Sequence, residues 1–368
     1  MRAMSVPAVL TADPIDVFYA TGVRNMSVFS MMGASRFVAV CADGPVVAWE
    51  FAGSEHLAHQ ASTVDEVRTA PGITALAGHR YRDAIEAFTA EIASLCRGLG
   101  IDLVGVEGFD HCVTDALRTR GLRLCSATEV FVESRRIKLP GEIAIMRDGV
   151  GRVTDAVGHM VEHLHAGATE IEVWSHFHQR LIATDGEYVS TRLAQSGERT
   201  FPYFHEAGPN RIDDGDVFCI DTDAIGYGGY AVDFSRCYSV GGVPSAGQRS
   251  LHRAALEQLE HNAALLAPGV SFSDFATKAW QVAPEHQKWG YSCLAHGLGL
   301  CGEFPYVPVA QLGVPYDFDG AFEPGMVICI ESYIGDESIR QGVKLEDQYL
   351  ITDTGAERLT TAPFDPSF

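Results

Sequence analysis

The stretch Asp221–Arg236, "DTDAIGYGGYAVDFSR", sets three aspartates around a glycine-rich turn. The flanking runs "VFCIDTDAI" and "YAVDFSRCYSV" are apolar and β-branched and are parted by Gly226, Gly228 and Gly229, which predicts a hairpin. Aspartate is rare in strands and costly to bury without a partner. Asp221, Asp223 and Asp233 therefore require a counter-charge, and a metal ion supplies it with the fewest parts. "GYGGY" at 226–230 precedes a strand rather than a helix and lacks a lysine, so it reads as a tight turn and not as a phosphate loop.

Further along, "LAHGLGLCGEFP" presents His296 among glycines, "GMVICIESYIG" sets Glu331 in an apolar strand, and "GVKLEDQYLIT" sets Glu346 in the next. Each is a polar residue where the strand pattern asks for an apolar one, a conflict expected at functional sites. Taken singly, Glu331 and Glu346 read as members of buried ion pairs. Taken together, five carboxylates and one imidazole point to metal. Oxygen-rich ligation suits Mn or Fe better than a thiolate zinc site, with Zn and Co as further candidates. Five negative charges nearly balance two divalent cations, which favours a dinuclear centre able to lower the pKa of a bound water and clamp a substrate oxygen.

The bulk properties are those of a globular protein. The chain has 368 residues, more than one hydrophobic core usually spans, with 46% hydrophobic and 20% charged residues. A net charge of −21 and the absence of any Lys/Arg run exclude a nucleic-acid partner. No apolar run reaches membrane-spanning length and the first residues lack a signal layout. Nine scattered cysteines without a CxxC pair suit reduced thiols in a cytoplasm, most of them small core residues.

In the first third, strand-like runs ("AVLTADP", "SRFVAVCAD", "GPVVAWEF", "DLVGVEG") alternate with helical ones such as "YRDAIEAFTAEIASLCRGLG", which reads as an α/β domain. Beyond Ser134 the texture changes. Pro140 opens a helix carrying Ile143, Met146, Val150, Val153, Val157, Met160, Val161 and Leu164 at helical spacing. Thr169 and Glu172 form a capping box for a second helix, and "SLHRAALEQLEHNAALL" predicts a third. The boundary is set near 137, dividing a 1–137 α/β domain from a 138–368 α+β domain.

Asp221, Asp233, His296, Glu331 and Glu346 follow the order and spacing of the five metal ligands of the creatinase/prolidase/methionine aminopeptidase superfamily, which this chain resembles over nearly its whole length. The matching motifs are "DFSR", "HGLGL", "PGMVICIES" and "VKLEDQYLIT", with "VLTADPIDVFYATGVRNMS" and "RRIKLPGEIAIMR" resembling that superfamily's start and interdomain junction. The resemblance implies a pita-bread catalytic domain, α+β, behind a smaller creatinase-type, ribonuclease H-like α/β domain, and a homodimer. The departures are local. Asp221-Thr222-Asp223 replaces the usual Asp-x-Gly, and Glu303 stands where the peptidases carry a second histidine. "FPYFHEAGP" offers His205 as the upstream substrate histidine, although an ungapped alignment puts Phe204 there.

The Asp-x-Asp variant with a third aspartate ten residues on, "HGxGLC-x-E-aromatic-P" and "TRLAQSGERTFPYF" are instead similar to the dimethylsulfoniopropionate (DMSP) lyases built on this fold. That similarity implies Asp223 as a sixth metal ligand and β-elimination on a small zwitterionic or carboxylate substrate. Those lyases take the α-proton with an acid six residues past the histidine, where this chain has Gly302. Glu303, Tyr333 or a metal-activated water then becomes the base. Tyr203, Phe204, Phe304 and Tyr306 are candidates to line an onium pocket, with core packing as the plainer reading. Arg236 is a candidate to grip a substrate carboxylate or to serve as a structural partner of the acidic centre. An Xaa-Pro peptidase or creatinase-like metallohydrolase, relying on Glu331 and His205, is the alternative. A non-catalytic binding scaffold is the remote one. His159 and His163 sit one turn apart, but Glu162 precedes the second rather than following the first, so the zincin pattern is broken and a solvated helix face is expected.

Overall fold

The computed structural model describes residues 1–309 and 320–368. It divides into two compact units, Met1–Ser134 and Arg135–Phe368, so the change of unit lies three residues before the boundary expected at 137.

In the first unit six strands form one mixed sheet in the order Glu66–Thr69, Val46–Glu50, Phe37–Cys41, Ala8–Thr11, Leu103–Glu107, Arg123–Ser126. Ala8–Thr11 runs antiparallel to Phe37–Cys41 and parallel to Leu103–Glu107. The amphipathic helix Tyr81–Gly98 turns Ile85, Phe88, Ile92 and Cys96 inward, where they meet Phe37, Val47, Trp49 and Val104 in the core. Arg36 and Glu50 are buried as a two-pronged pair at 2.7 and 2.5 Å, which satisfies both charges away from water.

In the second unit the helix Pro140–Val161 buries Met146, Val150, Val153, Val157 and Met160 along one stripe. Pro140 sits at its first turn, where a missing N–H costs nothing, and Glu142 accepts from the Leu139 N–H at 2.7 Å. The helix Glu170–Ala183 opens on the reciprocal Thr169/Glu172 bonds of a capping box, 2.8 and 3.3 Å.

The main sheet of this unit runs Gly302–Pro308, Cys293–Leu298, Val327–Asp336, Gln341–Thr352, Gly355–Arg358, all antiparallel. Strand alternation decides what each face does. Ile328, Ile330, Ile334, Val343, Leu345 and Ile351 join Leu251, Ala255 and Leu259 of the helix Ala246–Ala264 in the core. Ser332 shares that face and donates to the Ala255 carbonyl at 2.7 Å. The opposite face therefore receives Cys329, Glu331 and Tyr333 from one strand and Lys344, Glu346 and Gln348 from its neighbour. This architecture is the α+β fold anticipated for the catalytic half.

One expectation is corrected. Cys219 and Cys237 are not free thiols but are joined in a disulfide. They lie 18 apart in sequence, and the antiparallel pairing of Val217–Asp221 with Ser235–Ser239 makes them direct register partners. The other seven cysteines are free, and Cys41, Cys96, Cys293 and Cys329 are buried. No helix among the described residues is long and apolar enough to cross a membrane.

Candidate metal centre

The predicted hairpin forms, and it is broken twice where the acids sit. The strand Val217–Asp221 stops at Thr222–Asp223 before Ala224–Ile225, and the return is interrupted at Asp233–Phe234 between Ala231–Val232 and Ser235–Ser239. Asp223 adopts φ +38°, a sparsely populated region for a non-glycine residue, and the Thr191 hydroxyl donates to its carboxylate. Across the gap, Thr222 Oγ1 accepts from the Phe234 N–H at 3.0 Å, and the Asp233 N–H donates to Gln348 Oε1 at 2.9 Å. These side-chain bonds replace ladder bonds and leave three carboxylates aimed to one side. His296 pairs in register with Cys329, and Glu331 lies directly opposite Glu346. Two like charges facing each other across a ladder are destabilising unless something positive sits between them.

The groups converge. His296 Nε2 is 3.4 Å from Glu331 Oε1, 3.6 Å from Glu346 Oε1 and 3.8 Å from Asp233 Oδ2. Asp233, His296, Cys329 and Glu346 each offer a ligand atom, all within 4.8 Å of one another. Lys344 enters the same cluster. Its side chain is 1% exposed, and its ammonium lies 2.6 Å from Glu331 Oε2, 3.0 Å from Glu346 Oε2 and 3.3 Å from Asp221 Oδ2, with Ser235 Oγ at 2.8 Å.

The electrostatics follow from burial and crowding. Burial would raise Asp221, but Lys344, the Tyr203 hydroxyl and Ser235 hold it down at about 2. Burial and the neighbouring Asp221 push Asp223 up to about 7. Burial followed by Glu346 and the other two aspartates raises Asp233 well above the carboxylate range, and burial with Glu331 raises Glu346. Burial would lower His296, yet its contacts with Glu331 and Glu346 raise it far more. Without added cations the cluster must hold protons, because one ammonium cannot neutralise five carboxylates.

The residues fit a pair of divalent ions. Asp221 Oδ1, Asp233 Oδ1 and Glu346 Oε1 are buried and accept no hydrogen bond, although buried acceptors are nearly always satisfied. Five carboxylates with one imidazole are a hard to borderline donor set. With Lys344 protonated, the net charge of the acidic groups is close to what two divalent cations would cancel.

Other predicted residues have different surroundings. Glu303 turns inward, but onto Lys138 Nζ at 2.8 Å, Arg135 Nε at 3.7 Å and the Leu300 N–H at 3.1 Å. Those partners engage both oxygens of its carboxylate. Tyr333 donates its hydroxyl to the Thr200 carbonyl at 2.8 Å, and burial raises its pKa. Arg236 is fully buried, and its five N–H groups go to Asp347, Ser235 O, Glu346 O and twice to Ala362 O, so no donor is left for a substrate carboxylate. His205 directs Nδ1 to the Arg199 carbonyl at 2.7 Å. Phe304 packs edge-on against Phe272 at 5.6 Å on the core side, and Tyr306 is half exposed with its hydroxyl 3.2 Å from Ser292 Oγ.

Tyr203 stays with the acids, donating to Asp221 Oδ2 at 2.5 Å. Its ring is 4.7 Å from Phe204, 5.6 Å from Tyr291 and 5.4 Å from Tyr333, and the outer face of Phe204 is exposed. Sequence reasoning missed Lys344 and Tyr291, whose hydroxyl lies 3.4 Å from Glu331 Oε1. A signal existed for Lys344, which stands two residues before Glu346 and so shares its strand face. Tyr291 lies in an irregular segment and carries no such signal.

The model of metallopeptidase family M24 matches residues 144–353, which hold every one of these acids and His296. The chain belongs to family M24. Within it, this M24 chain is 34% identical to the dimethylsulfoniopropionate lyase DddP of Roseovarius nubinhibens, over 98% of its own length and 82% of that protein's. It is 30% identical to the Xaa-Pro dipeptidase of Pyrococcus furiosus, over 63% and 65% of the two chains. Among solved structures, the prolidase from Pyrococcus furiosus superimposes with a TM-score of 0.79 at 23% identity, covering 99% of this chain and 98% of that one. The prolidase from Pyrococcus horikoshii gives 0.81 at 22%, covering 100% and 97%. These superpositions identify the pita-bread fold for the M24 chain.

Proposed function

We propose that the protein is a dinuclear-metal lyase that cleaves a small zwitterionic carboxylate of the DMSP type by β-elimination. The observation that carries this reading is the Asp-x-Asp cluster of Asp221, Asp223, Asp233, His296, Glu331 and Glu346, set in a chain similar to a DMSP lyase from end to end. Those six residues would hold two divalent ions, iron or manganese by the hardness of the donors, and the ions would supply Lewis acidity at the substrate carboxylate. Lys344 fixes three of the carboxylates from behind, so their remaining oxygens need no reorganisation when cations arrive. The rings of Tyr203, Phe204 and Tyr291 supply negative π-faces for an onium group beside the acids.

In the elimination a proton leaves the carbon next to the carboxylate, the Cβ–S bond breaks, and acrylate and dimethyl sulfide depart. Glu303 and Tyr333 engage their polar atoms with Lys138 and the Thr200 carbonyl, which favours the third candidate, a water activated in the acidic centre, as the group that would receive that proton. The Xaa-Pro hydrolase alternative is weakened because His205 is bonded to the Arg199 carbonyl rather than to the acids. The test is to incubate metal-analysed protein with DMSP and with Gly-Pro and follow products by NMR. Acrylate and dimethyl sulfide support the lyase. Free proline would replace it with the hydrolase reading.

A further inference from the structure

A second group of metal-ligating side chains lies outside the acidic centre. His159 is in the last turn of the helix Pro140–Val161, His163 follows in the turn after it, and His176 comes from the helix Glu170–Ala183. The sequence pairs the first two at helical spacing but gives no reason to add the third, 13 residues later across a reversal of the chain. The structure stacks His163 on His176 with centroids 3.8 Å apart at 12°, and His159 meets them edge-on at 4.7 and 5.7 Å. One nitrogen from each of the three lies within 4.8 Å of the others.

We propose that His159, His163 and His176 form a three-imidazole site for a borderline divalent cation such as Zn²⁺, clasping these two helices. Imidazole is the ligand such ions share, and three with water in the fourth place is an open zinc arrangement. Zn–N bonds of 2.0–2.1 Å put nitrogens about 3.4 Å apart, so the trio must close by at most about 1.4 Å, and His163 and His176 must rotate out of their near-parallel stack so that their in-plane lone pairs meet at one ion.

His163 is already in the ligating tautomer. Its Nδ1–H donates to the His159 carbonyl at 2.9 Å, which leaves the Nε2 lone pair free. Burial, then His163 and His159, lower the pKa of His176, which favours its neutral form. The end of a 22-residue helix adds negative potential at this spot, favourable to a cation. Among the neighbouring groups, Glu162 Oε2 lies 3.7 Å from His159 Nδ1, while Arg180 is held by Asp155 at 2.6 Å, Arg211 by the Gly167 carbonyl at 2.6 Å, and His178 stacks on Trp174. Open clefts of about 400 and 310 Å³ flank the rings and give an ion its path.

The test uses the full chain and Zn²⁺ alone, with bound metal measured after equilibrium dialysis. Wild type is expected to hold one more Zn²⁺ than the His163→Ala/His176→Ala variant, and Asp233→Ala is expected to keep that ion while losing metal at the acidic centre. Zn²⁺ should raise the Tm of Asp233→Ala by a few degrees, and adding His163→Gln should remove that rise. With Co²⁺, the visible absorption of a nitrogen-bound ion should appear in Asp233→Ala and vanish when His159→Gln or His163→Gln is added. Equal Zn²⁺ content and equal Tm response with and without the three histidines would overturn the proposal. The result does not depend on which reaction the acidic centre performs.

Discussion

Glu346 and Asp347 are neighbours on one strand, both buried, and they live in opposite circumstances. Asp347 faces Arg236 at 2.7 Å and Arg358 at 2.9 Å, and its charge is answered. Glu346 faces Glu331, shares a single lysine with two other acids, and keeps an oxygen without a hydrogen bond. The same contrast separates the Arg36–Glu50 pair of the first unit from the aspartate hairpin of the second. A buried acid with its own guanidinium is architecture. A set of buried acids that outnumber their cations must take up protons or further positive charge, and such an excess is the signature expected of a binding centre.

The comparison breaks most completely at Asp233. Asp233→Ala removes one of the converging carboxylates and is expected to abolish metal loading and turnover while leaving the metal-free fold intact, since it relieves repulsion. Metal analysis beside circular dichroism checks this, and full metal content would end the assignment.

Asp347→Ala should do the reverse. It strands Arg236 in the interior and is expected to cost about 3–5 kcal/mol of stability, with metal per folded chain unchanged. Urea unfolding reads the loss, and a cost below 1 kcal/mol would show that the two faces are not so different.

The pH dependence sharpens the contrast further. Asp223, Asp233 and Glu346 have raised folded pKa values, so their contribution favours the folded state at low pH and is lost as pH rises from about 4 through about 7. His296, raised above 6.5, loses its contribution in the same direction as it deprotonates. Asp221, lowered to about 2, acts only at the acid end, losing its contribution as pH falls below about 4. Metal-free protein should therefore lose Tm between pH 4 and 7, and added Mn²⁺ should remove most of that loss. A slope unchanged by metal would mean that the protons lie elsewhere.

The smallest effect is expected at Gly302. A Cβ there meets nothing within 4 Å, so Gly302→Asp should change stability by less than about 0.5 kcal/mol. Placed on the hairpin that carries His296, the new carboxylate is expected to speed acrylate release. An unchanged rate would put the elimination base elsewhere in the centre.

Much of the centre was legible because each acid contradicts its own strand. Glu331 in "VICIES" and Glu346 in "VKLEDQ" are charges inside apolar runs, and that conflict is visible without coordinates. The fates of Glu303, Tyr333 and Arg236 were not legible. Whether Glu303 meets a metal or Lys138 depends on which way a hairpin twists, and whether Arg236 grips a substrate depends on carbonyls 110 and 126 residues away. The disulfide escaped for the same reason, since only strand pairing shows that Cys219 faces Cys237.

The sequence by itself determined the helix stripes and the acids that break the pattern of their strands, because periodicity and local conflict are properties of neighbours along the chain. Only the tertiary structure decided that Lys344 sits among those acids, that Glu303 is anchored away, and that His176 joins His159 and His163. Those outcomes depend on which side chains meet across strands and helices, and a one-dimensional pattern does not encode distance in space.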